Sequence, residues 1–78
     1  MHMLLATEYI TGILRQWNAT KEHPIPDYLL TIAAVQNGYT NQVVDRAIET
    51  LIRDGDIKHK TITYQGAMSD HRETGYWI

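Results

Sequence analysis

Apolar residues recur along this chain first at helical spacing and then, after Gly55, at strand spacing. Between Leu5 and Trp17, Ala6, Tyr9, Ile10, Ile13, Leu14 and Trp17 fall on one arc of a helical wheel and Thr7, Glu8, Thr11 and Arg15 on the other. The spacing predicts an amphipathic helix over about residues 5–17, with Gly12 beside its polar arc. The segment His23-Pro24-Ile25-Pro26 cannot be helical, because two prolines leave only Ile25 with a backbone donor. It suits a very short edge strand or an extended linker. Asp27 is a good N-cap for a second helix over about 28–36, which Asn37-Gly38 then stops. That helix is apolar at Tyr28, Leu29, Leu30, Ile32, Ala33, Ala34 and Val35. It is expected to be buried on most sides, or else to offer Leu30 and Ala34 to a partner chain.

The clearest helix follows. Val43, Val44, Ala47, Ile48, Leu51 and Ile52 repeat at i, i+3, i+4, i+7 and i+8. Thr40 can accept the first orphan amides, and Gly55 supplies a left-handed end, so the helix is placed at about 41–53. Its opposite face carries Gln42, Arg46, Glu49 and Arg53, with Asp45 on one edge and Thr50 on the other. As a plain solvated face it would gain from a Glu49 to Arg53 pair at i, i+4. As a reading face it carries arginine and glutamine, which bind base edges in a major groove, and Asn41 at its start. Beyond Gly55, residues 57–64 and 72–78 are rich in β-branched and aromatic types around a polar loop from Gln65 to His71, which predicts a hairpin. Ile57 and Ile62 have opposite parity, and a bulge or strand break near Lys60 or Thr61 would reconcile them.

Composition adds limits. A chain of 78 residues holds one small core and one domain, here 1–78, and 44% hydrophobic with 21% charged residues is an ordinary globular balance. The absence of cysteine excludes disulfides and cysteine-ligated zinc. No apolar run approaches the roughly 18 residues of a membrane span, and Thr7 and Glu8 interrupt the first thirteen residues. A cytoplasmic protein with no membrane association is expected. The net charge of −2 is unevenly spread: residues 40–56 are acidic, whereas Lys58, Lys60 and Arg72 outweigh Asp70 and Glu73 beyond them.

Chemistry for catalysis is sparse. Ser69 is the sole serine and no phosphate-cradling glycine motif occurs, so no enzyme and no cofactor are expected. His2, His23, His59 and His71 lack the spacing of a metal site. Trp17, Tyr28, Tyr39, Tyr64, Tyr76 and Trp77 could stack on single-stranded bases, but their spacing fits the core or its rim better.

Helix, short extended piece, helix, four-residue turn, helix, hairpin is an order that resembles the winged helix-turn-helix superfamily. Thr40, Val43, Ala47, Ile48, Leu51, Gly55 and Ile57 resemble its recognition helix and the start of its wing. The closing Gly75-Tyr76-Trp77-Ile78 is similar to the aromatic last strand of small bacterial members, including regulators of fimbrial operons. The resemblance implies an α+β fold of three helices followed by a two-stranded wing over about 57–78, with a very short strand near Ile25. It further implies double-stranded DNA as partner, read by Thr40, Asn41, Gln42, Arg46, Thr50 and Arg53. Lys58, Lys60, His71 and Arg72 would contact phosphates or the minor groove. With few basic residues, a homodimer on paired half-sites or recruitment by a partner regulatory protein is expected. The competing expectation is a protein-docking module with no affinity for DNA.

Overall fold

The computed structural model describes residues 4–65 and 70–78. Three helices, α1 (Ala6–Gln16), α2 (Asp27–Gln36) and α3 (Asn41–Arg53), pack with three strands, β1 (Ile25–Pro26), β2 (Lys58–Gln65) and β3 (Asp70–Trp77). The strands form one antiparallel sheet in the order β1-β3-β2. The extended proline segment is thus a true edge strand, pairing Ile25 with Tyr76 and Pro26 with Gly75, and the sheet has three strands where the hairpin alone supplies two.

The core lies where the helices meet the base of the sheet. Ile10 and Leu14 of α1, Leu30 and Ala34 of α2, and Val44, Ala47, Ile48 and Leu51 of α3 are buried, closed by Tyr39, Ile57 and Tyr76. Val43, read as part of the α3 stripe, is 44% exposed at its margin. The ends of α3 form as their residue types dictate: the Thr40 hydroxyl accepts the Val43 N–H at 3.2 Å, and Gly55 takes φ +79°. Gly38, at φ +97°, turns the chain between α2 and α3.

Four expectations are corrected. Asp27 is the first helical residue of α2 and not its cap; Pro26 occupies the cap position, and Glu73 Oε1 accepts the Tyr28 N–H at 2.9 Å from the neighbouring strand. A carboxylate on β3 therefore does what a cap would do, at the positive end of the helix. Second, α2 is not buried on most sides: Tyr28, Leu29, Ile32 and Val35 are exposed, and Leu30 and Ala34 are the residues facing the core. Third, the β2–β3 register runs unbroken from Lys58–Trp77 to Gln65–Asp70, with no bulge. Ile57 is buried ahead of the strand, while Ile62 lies half-buried on the other face beside Gly75. A Cβ at Gly75 would overlap Ile62 Cδ1 and stand 3.0 Å from Pro24 Cβ, so the glycine makes room for both. Fourth, Trp17, Tyr28 and Tyr64 lie outside the core, at 39–49% exposure. The centre of the expected loop, residues 66–69, and His2 lie outside the described residues.

Candidate nucleic-acid interface

Because α3 buries Val44, Ala47, Ile48 and Leu51, the helical period turns Gln42, Arg46, Glu49 and Arg53 to its outer crest, all exposed. Asn41 stands exposed at the start of the helix beside Thr40, whose hydroxyl is engaged by the cap. Thr50 is half-buried on the edge toward α1, in a groove shared with Thr7, Glu8, Thr11 and Arg15. The expected Glu49 to Arg53 pair does not form: Arg53 Nε meets Asp54 Oδ1 at 3.6 Å, with both side chains largely exposed. Such a pair is held weakly. Gln42 and Arg46 make no hydrogen bond or ion pair with any other described side chain.

The edge of α3 toward the sheet is acidic. Asp27, Asp45 and Glu49 line a groove there with Ile48, Ile52 and Tyr76. Tyr76 donates its hydroxyl to Asp27 Oδ1 at 3.0 Å. Its pKa is pushed well above the ordinary tyrosine value, first by burial, then by the nearby carboxylate of Asp27 and the hydrogen bond to it, with Asp45 and Glu73 adding to the effect.

Opposed residues of an antiparallel pair share a face, and alternate residues along a strand switch faces. Lys58, Lys60, Ile62, Glu73, His71 and Trp77 therefore share one face, and Tyr76, Thr74, Thr63 and Arg72 the other. Since Tyr76 points into the groove beside α3, Arg72 belongs to the α3 side of the sheet, about 14 Å further along the strand. Lys58, Lys60 and His71 do not. Lys60 also donates Nζ to the Lys21 carbonyl and sits 5.9 Å from the Trp77 ring, tying the loop after α1 to the sheet. His71 stacks on Tyr64 at 6.1 Å between ring centroids and faces Glu73 at 3.9 Å.

The structure thus gathers Gln42, Arg46 and Arg53 on one crest, with Glu49 among them and Arg72 on the same side, while Asn41 is exposed at the first position of the helix about a quarter-turn off that crest. It separates them from Lys58, Lys60 and His71 and turns Thr50 toward α1. What residue reading missed is the acidic wall that runs from Glu49 on the crest toward the sheet; Asp45 and Glu49 were visible in the helix, but Asp27 joins them only through the fold. Among the described residues no three histidine or carboxylate side chains converge on a metal position, and no helix is long and apolar enough to cross a membrane. No protein-family model, curated protein or solved structure matches the chain.

Proposed function

We propose that the chain is a winged helix-turn-helix module that binds double-stranded DNA sequence-specifically, as a cytoplasmic transcription regulator of bacterial, phage or plasmid type. The observation that carries this reading is the crest of α3. Gln42 and Arg46 stand exposed and uncommitted on the second helix of a helix–turn–helix pair, beside an antiparallel hairpin. In this reading α3 enters the major groove, Arg46 and Gln42 meet base edges, Arg53 and Arg72 meet the backbone, and β2–β3 flanks the duplex.

The acidic groove sets the strength of this contact. Asp45 and Glu49 repel phosphates and can accept only from donor edges such as the cytosine amino group, so one copy binds weakly and selectively. Tight binding then calls for paired copies or a second regulatory protein. A docking module without DNA affinity is the competing reading, favoured by the exposed apolar face of α2.

Fluorescence anisotropy on a panel of duplexes at about 50 mM salt, where backbone contacts are strongest, separates the two. Arg46→Ala should lose about 1–3 kcal/mol on preferred sequences and relax the preference, while Arg72→Ala should weaken binding to all sequences alike. Indistinguishable curves for the wild type and both variants would reject the assignments, and absence of binding would favour the docking module.

A further inference from the structure

Helix α2 has ten residues and a single charge, Asp27, at its first position. Two of its apolar residues, Leu30 and Ala34, are spent on the core, and Tyr28, Leu29, Ile32 and Val35 remain 40–50% exposed. The largest uncovered apolar patch of a small protein is often a contact surface. Together with exposed Gln36, the stripe places residues four and three before Ile32 and three and four after it. It is therefore symmetric about Ile32 when the helix is reversed.

We infer that this stripe is the contact surface for a second copy of the chain, with two α2 helices antiparallel across a two-fold axis through Ile32. The axis sets Ile32 against its equivalent, Leu29 against Val35, and Tyr28 against Gln36, so one patch complements itself as an isologous interface requires. Antiparallel helices oppose their dipoles favourably. No charge lies between Tyr28 and Gln36, so two copies bring no like charges together there, and a charged partner surface would find nothing on the stripe to pair with.

The area sets the expected strength. Half-exposure of four large apolar side chains amounts to about 300 Å² per copy. Two copies then bury about 600 Å² of apolar surface, and with the usual polar share this is an interface of about 1,100 Å² in total, at the weak, transient end. The dimer should form in the micromolar range or above it. The inference deepens the paired-copy form of the function proposed above and rests on it for its biological use, but the association is measured without DNA.

Sedimentation equilibrium of the whole chain from about 1 µM to about 1 mM tests it. The mass should rise from 9.0 kDa toward twice that value, and Ile32→Glu, with an unchanged helical circular dichroism spectrum, should stay at 9.0 kDa throughout. Because the chain has no cysteine, Ile32→Cys carries one thiol on the axis and should oxidise to a linked dimer, whereas Glu22→Cys, exposed and off the stripe, should not. A wild type that stays monomeric, an Ile32→Glu variant that associates equally, or equal cross-linking of the two cysteine variants would overturn the inference. A dimer with no DNA affinity rejects the proposed function and leaves this inference standing; a monomer that binds DNA does the reverse.

Discussion

Tyr76 joins the sheet to the helices through one hydroxyl. Its ring is buried against the core, and its hydroxyl reaches Asp27 at the first turn of α2. Burial and the adjacent carboxylate both disfavour the phenolate, so the folded-state pKa lies above that of an unfolded tyrosine. The sign follows directly: the stabilisation is complete below about pH 10 and is lost as pH rises beyond that toward the folded value. Chemical denaturation of Tyr76→Phe should show a loss of about 1–2 kcal/mol at neutral pH, since the hydrogen bond goes to a charged acceptor. The difference from wild type should shrink at alkaline pH. A variant as stable as wild type at pH 7, or one with the same alkaline decline, would show that the Asp27 contact does not hold α2 to the sheet. Burial raises the Tyr9 pKa in the same direction, so Phe at position 76 should reduce the alkaline decline without abolishing it.

Among the elements, α3 was the most legible. Its stripe, its Thr40 cap and its Gly55 end all point to one span, and the structure forms 41–53 accordingly. Thr40→Ala should cost about 1 kcal/mol in thermal or urea unfolding, as cap removal does, through lost helix stability and not through a lost base contact. An unchanged midpoint would mean that the hydroxyl is idle. Helix α2 was read to within a residue in span and wrongly in burial, because seven apolar residues among eight, broken only by Thr31, carry no period that says which face is inward. The answer depended on α1 and α3 covering only the Leu30 and Ala34 side. The hairpin was legible as two strands, but its faces were not. Ile57 and Ile62 suggested a bulge because the reading assumed one apolar face, and the sheet has two: Ile57 closes the core and Ile62 packs across Gly75. That second face removed Lys58 and Lys60 from the α3 side, which alternation alone could not assign without knowing where Tyr76 points.

For the molecule as a whole, charge decides how the site can work. A chain of net charge −2 with arginines on one crest and carboxylates beside it has little general attraction for a polyanion. What affinity it has must come from a few placed contacts, and from two copies acting together if the α2 stripe pairs them. The most direct measurement of this account is an NMR titration of isotope-labelled protein with mixed-sequence duplex DNA, at about 50 mM and then about 200 mM salt. Amide shifts should concentrate at Asn41, Gln42, Arg46, Glu49 and Arg53, with a second group around Arg72, all fading as salt rises. A spectrum unchanged by DNA at the lower salt, or shifts centred on Lys58 and Lys60 with α3 silent, would contradict this account.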